Sequence, residues 1–160
     1  YARLNGLGVV CITYCVGGLK VANTTAEAFA EKSPVIVISG APGTDERDND
    51  PMLHHKVKTF QTQEQVFKEL CYKTFVLDDP ATAHSKIDEA IYLAKRYKQP
   101  VYIEIPRDVI DKDCHKNTII QKASLSSDYD ILNEGLDEIV SKLNQAKKTC
   151  YFSGCRNPSF

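Results

Sequence analysis

Three short runs, Gly8–Tyr14 (GVVCITY), Val35–Ser39 (VIVIS) and Val101–Ile105 (VYIEI), constrain this chain more than any other feature. A strand with one face in water alternates apolar and polar residues. Runs that are nearly continuously apolar belong to strands covered on both faces, as in parallel sheets. Between these runs the spacing becomes helical. Leu19 to Ala30 places Leu19, Ala22, Ala26 and Phe29 on one face, and Thr62 to Leu70 turns Val66, Phe67 and Leu70 inward. Asp78-Asp79-Pro80 is a helix-start signal, a capping carboxylate followed by a proline whose missing N–H costs nothing there. The helix it opens runs to about Tyr97, with Ile87, Ala90, Ile91 and Ala94 at core spacing, and Cys71 to Leu77 reads as a further strand. Strands alternating with helices in this way predict an α/β fold of three layers, a mainly parallel sheet with helices on both faces.

A chain of 160 residues holds one such domain and the start of a second. The formal net charge is -1 with no block of like charges, which argues against nucleic acid and anionic membrane surfaces as partners. The apolar runs fall far short of the roughly 20 residues a membrane helix needs, and no secretory signal opens the chain. The single methionine is Met52, so the chain is expected to be a piece of a longer protein. Its six cysteines are scattered without a CxxC pair, the pattern of reduced structural thiols in a cytoplasmic protein. Residues 1–111 are expected to form the α/β domain and 112–127 a polar linker. Residues 128–160 are expected to begin a truncated central domain, with an amphipathic helix over Asp128–Ala146 and a strand from Lys148 to Ser153.

Open α/β sheets bind ligands where strand ends meet helix starts. Two such places stand out. Thr13-Tyr14-Cys15-Val16-Gly17-Gly18 is a strand-to-helix turn whose glycines admit close backbone approach, although it is neither GxGxxG nor a P-loop and could be a merely structural turn. The second is the pair His54-His55. Histidine suits proton delivery near neutral pH, its ordinary pKa being near ~6.5. On an extended segment the two rings would point in opposite directions, leaving at most one facing a ligand. The competing readings are a water-satisfied surface pair, or a metal site completed from Asp45, Glu46, Asp48 and Asp50, whose spacing matches no ligand pattern. The stretch Thr44–Pro51 itself reads as a solvated acidic loop.

Taken together, these segments carry a resemblance. ThrTyrCysValGlyGly followed by an alanine-rich helix, ValIleValIleSerGlyAlaProGly, LeuHisHis, ThrGlnGluGlnValPheLysGlu and ProValTyrIleGluIleProArg resemble the pyrimidine-binding domain of thiamine-diphosphate-dependent 2-oxo-acid decarboxylases. The likeness is to the phenylpyruvate and indolepyruvate types and, slightly further away, the pyruvate type, over residues 1–111. Carboligases such as acetolactate synthase share the fold and usually lack the histidine pair. In that family thiamine diphosphate serves as the electron sink for loss of carbon dioxide from a 2-oxo acid, and an aldehyde is released. The resemblance implies that His54 and His55 assist proton transfer and that Thr13 and Val16 line the aminopyrimidine ring. It also implies a homodimer or homotetramer in which a second subunit completes the site. The cofactor-activating glutamate, with the strand and helix that precede this chain, and the ligands of Mg2+ lie outside it, so the chain alone is expected to be inactive. Cys15 stands where the family usually has glycine. Alternatives left open are a carboligase, a non-catalytic remnant and a flavodoxin-like binding protein.

Overall fold

The computed structural model describes residues 1–114 and 128–148. The described residues divide into two units, 1–114 and 128–148. The first is built around four strands, β1 (Gly8–Ile12), β2 (Val35–Ala41), β3 (Lys73–Val76) and β4 (Val101–Pro106), in the order β1-β2-β4-β3. All pairings are parallel, with Gly8 opposite Val35 and Ile36 opposite Val101. The helices are α1 (Ala2–Asn5), α2 (Val16–Ala30), α3 (Thr44–Asn49), α4 (Thr62–Leu70) and α5 (Pro80–Tyr97).

Alternation along the strands divides the apolar residues between two cores. Ile36, Val101, Ile103 and Phe75 face Ala90 and Ala94 of α5. Val37 and Tyr102 point the other way, where they meet Phe67 of α4 and Val21 of α2. The Phe67 and Tyr102 rings stack at 4.4 Å. The expected three-layer α/β architecture is therefore present. Asp79 caps α5 by accepting from the Ala81 N–H at 2.9 Å, with Pro80 in the first turn, an arrangement that typically contributes about 1 kcal/mol.

One expected helix face is rotated and a second holds in all but one residue. On α2, Leu19 and Phe29 are exposed, whereas Gly18 and Thr25 are buried with Val21 and Ala22 beside them. On α5, Ala90 and Ala94 are buried and Ile91 packs against the core as expected, Ala83 extends the ridge, and Ile87 lies outside. In both helices the smallest residues make the contact, because they let the helix axis approach its neighbour closely. Strand ends also shift: β1 stops at Ile12, and α2 begins at Val16, so both glycines lie in its first turn.

The larger correction concerns Thr44–Pro51. It is not a solvated loop, since Thr44–Asn49 forms α3, with the Glu46 carboxylate accepting from the Gly43 N–H at 2.8 Å. In the second unit, α6 (Tyr129–Gln145) is capped by Asp128, and its apolar stripe of Ile131, Leu132, Leu136, Ile139 and Leu143 is exposed. The expected linker beyond residue 114 and the expected strand beyond residue 148 lie outside the described residues.

The four cysteines among the described residues are unbridged, with Cys15 and Cys71 buried. Burial alone pushes the Cys71 thiol up to about 12. Thiolate is the reacting form, so Cys71 should resist alkylation in the native protein at mildly alkaline pH and label only on unfolding. Mass spectrometry of iodoacetamide-treated samples checks this, and native labelling at Cys71 would refute it.

Candidate functional site

The carboxyl ends of β1, β2 and β4 converge on one side of the sheet, and every candidate residue lies there. At the end of β1 the chain makes a three-residue turn. The Val16 N–H donates to the Tyr14 carbonyl at 2.6 Å, and Cys15 has φ 53° and ψ -56°. This is the strained form of the γ-turn, and a non-glycine residue held there costs on the order of 1–3 kcal/mol. The glycine that the resemblance led one to expect at this position would carry no such cost. The Gly17 and Gly18 N–H groups then donate to the Thr13 carbonyl at 3.0 and 3.1 Å, which starts α2. Tyr14 is buried and donates from its hydroxyl to the Phe60 carbonyl at 2.9 Å. Burial, the largest influence on it, raises its pKa and keeps the hydroxyl protonated.

His54 and His55 are not on an extended segment. They occupy a turn closed by the Lys56 N–H donating to the Leu53 carbonyl at 3.1 Å, and their rings meet edge to face with centroids 4.2 Å apart. His54 is exposed and His55 half-buried. Lys56 anchors the turn, bonding Asp50 Oδ1 at 2.5 Å and lying 4.7 Å from the centroid of the Phe60 ring. Both histidines line a cleft of ≈ 370 Å³ with Thr13, Gly40, Ala41 and Arg107. They also line a smaller depression of ≈ 270 Å³ with Cys15, Val16 and Leu19. The four sequence candidates are thus brought together, with Thr13 and Val16 opening onto different hollows that share the histidine pair.

Beneath the cleft runs a buried polar chain. Arg47 of α3 pairs with Glu104 of β4. Glu104 accepts from the Tyr102 hydroxyl at 2.6 Å, and that hydroxyl accepts from Gln63 Nε2 at 2.6 Å. Gln63 Nε2 also donates to Ser39 Oγ at 2.8 Å, and Gln63 Oε1 accepts from the Cys15 N–H at 2.6 Å. Gln63 and Glu104 are both 0% exposed. Burial pushes the Glu104 carboxyl above the ordinary carboxylate range, although the Tyr102 hydroxyl and Arg47 pull the other way. Burial is likewise the main reason the Tyr102 hydroxyl is raised. Two further ties hold α3 over the strand ends: Arg107 pairs with Glu46, and Asp108 accepts from the Thr44 N–H at 3.0 Å. The Thr44 bonds hold the Asp108 carboxyl below its ordinary range.

Glu46 is committed to Arg107 and Asp50 to Lys56, and among the described residues no three His, Cys, Asp or Glu side chains converge on a cation position. No helix of the described residues is long and apolar enough to cross a membrane.

The sequence reading missed Gln63, Tyr102, Glu104 and Arg47. One signal was present, a glutamate inside the otherwise apolar strand ValTyrIleGluIle, because a charge in a doubly covered strand requires a buried partner. Gln63 carried a fainter one, standing four residues before Phe67 on the inward face of α4.

Residues 1–67 match the family model described as thiamine pyrophosphate enzyme, N-terminal TPP binding domain. Among curated proteins, the chain is 40% identical over 140 residues to an indole-3-pyruvate decarboxylase of Azospirillum brasilense, covering 88% of this chain and 25% of that protein. It is 37% identical over 116 residues to a probable pyruvate decarboxylase of Schizosaccharomyces pombe, covering 71% and 20%. It is 41% identical over 110 residues to a pyruvate decarboxylase of Nicotiana tabacum, covering 66% and 17%. The chain thus spans a quarter or less of the length of these relatives.

Proposed function

Because the chain belongs, through residues 1–67, to the thiamine pyrophosphate enzymes by their N-terminal TPP binding domain, we propose that it is part of a thiamine-diphosphate-dependent decarboxylase converting a 2-oxo acid to an aldehyde and carbon dioxide. The observation that carries this reading is the meeting of the His54-His55 turn with the Thr13–Val16 turn at the strand ends. A flat, polar-edged heterocycle suits such a place, where a tight turn brings backbone close and leaves Thr13 and Val16 exposed. Thr13 and Val16 would contact the aminopyrimidine ring of thiamine diphosphate. When bound, the cofactor supplies the electron sink that makes loss of carbon dioxide feasible.

This chain's own contribution is positioning and proton traffic. His55, half-buried against His54, would deliver a proton within the cleft that both rings line, and His54 would orient it through the ring contact. The diphosphate, Mg2+ and the activating glutamate fall to residues outside this chain, on a second subunit or on another domain. The substrate is of the indolepyruvate, phenylpyruvate or pyruvate type, named partly from the proteins this chain is similar to. The unbridged thiols fit a reducing, cytoplasmic setting.

The test is aldehyde release by the full-length protein with thiamine diphosphate and magnesium, given phenylpyruvate, indolepyruvate and pyruvate side by side. Cofactor-dependent aldehyde from any of them supports the reading, and the ranking names the substrate. Acetolactate from pyruvate without aldehyde would overturn it in favour of a carboligase.

A further inference from the structure

We propose that Gln63 is a positioning residue for the cofactor: its buried amide fixes the strained backbone of Cys15 and so sets how Thr13 and Val16 are presented. This rests on the reading of that turn as a thiamine diphosphate contact.

The Cys15 conformation, φ 53° in a residue with a side chain, does not hold itself. Something must fix it, and the group that bonds the Cys15 N–H is Gln63 Oε1 at 2.6 Å. That oxygen is itself immobilised. Gln63 Nε2 donates to two hydroxyls, Ser39 Oγ on β2 and Tyr102 on β4. Each of those hydroxyls spends its own proton elsewhere, Ser39 on the Gly40 carbonyl and Tyr102 on Glu104. Both can therefore only accept from Gln63, which forces the amide nitrogen to their side and the oxygen to the side of Cys15. A flipped amide would set donor against donor at the Cys15 N–H and acceptor against acceptor at both hydroxyls.

The fit is also steric. A Cβ on Gly18 would stand 1.9 Å from Gln63 Oε1. Glycine at position 18 is thus the opening through which α4 reaches the turn. A glutamine that served only to fill the core would need neither the open slot nor the directed bonds, and an apolar side chain of similar length would fill the same volume without them.

The experiment uses the full-length protein with magnesium and measures the dissociation constant of thiamine diphosphate by calorimetry. Alongside it, hydrogen exchange reads the segment containing the Cys15 amide in the cofactor-free protein. Gln63→Met keeps the volume and removes the bond; Gly18→Ala keeps Gln63 and displaces it. Both variants are expected to weaken the cofactor about tenfold and to abolish protection at Cys15. Phe75→Leu, in the core on the opposite face of the sheet, is expected to lower the melting temperature and leave both readouts unchanged. Retained affinity and protection in both variants, whatever their melting temperatures, would overturn the proposal. Should Gln63→Met not fold, Gly18→Ala and the exchange of its Cys15 segment decide alone. A wild-type protein that binds no thiamine diphosphate would refute the functional reading instead, while the exchange measurement would still report whether Gln63 holds the turn.

Discussion

His55→Ala in the full-length protein is expected to lower aldehyde release by about 100-fold, the scale of losing one positioned acid-base group. Thiamine diphosphate affinity should change little, because the cofactor-facing turn is held from below by Gln63 and not by the histidines. His54→Ala should be milder. It leaves the proton-carrying ring in place and removes the edge-to-face neighbour 4.2 Å away that orients it. The kcat pH profile provides the decisive readout. Removing the proton carrier should change the shape of the profile, whereas merely loosening it should keep the shape and lower the plateau. Unchanged aldehyde release in His55→Ala would sink the proton-delivery role and return the pair to a surface feature.

The second large effect is on stability. Glu104→Ala strips the partner from the Nη2 of Arg47, whose buried Nε already lacks a hydrogen bond, and leaves the Tyr102 hydroxyl without its acceptor. Breaking a buried pair from one side typically costs about 4 kcal/mol. Arg47→Ala should also be severe, since it leaves a fully buried carboxyl with Tyr102 alone. The double variant should cost clearly less than the two together, because neither charge is then stranded. Additive losses in urea unfolding would show the pair to be uncoupled. The pH dependence has a definite sign. Burial raises the Glu104 carboxyl in the folded protein, so the fold retains a proton that the unfolded chain has already released. Stability from this group is full below the ordinary glutamate range and declines as pH rises through the folded value. Wild type should therefore lose stability relative to Glu104→Gln as pH climbs across that window. A difference that stays flat or runs the other way would show that Arg47 and Tyr102 outweigh burial.

What the sequence determined by itself was the set of elements and their order. Continuous apolar runs specify doubly covered strands, helical spacing specifies what crosses between them, and Asp79-Pro80 marks a helix start, all of which are short-range properties. The candidate turn and the histidine pair were legible for the same reason, since each is a local motif beside a strand end. Tertiary structure decided the remainder of the helix faces. Pattern reading placed Ala90 and Ala94 inward correctly but also favoured the large Leu19, Phe29 and Ile87, whereas close packing chose Gly18, Thr25 and Ala83. It also made a helix of an acidic stretch that reads as solvated, because Arg47 finds Glu104 across 57 positions of sequence. Of the buried chain from Arg47 to the Cys15 N–H, the sequence showed clearly only Glu104, a charge inside an apolar strand. The remaining members stand out little among their neighbours, and a buried hydrogen bond is specified by directions and distances that exist only once β2, β4 and α4 have been brought together.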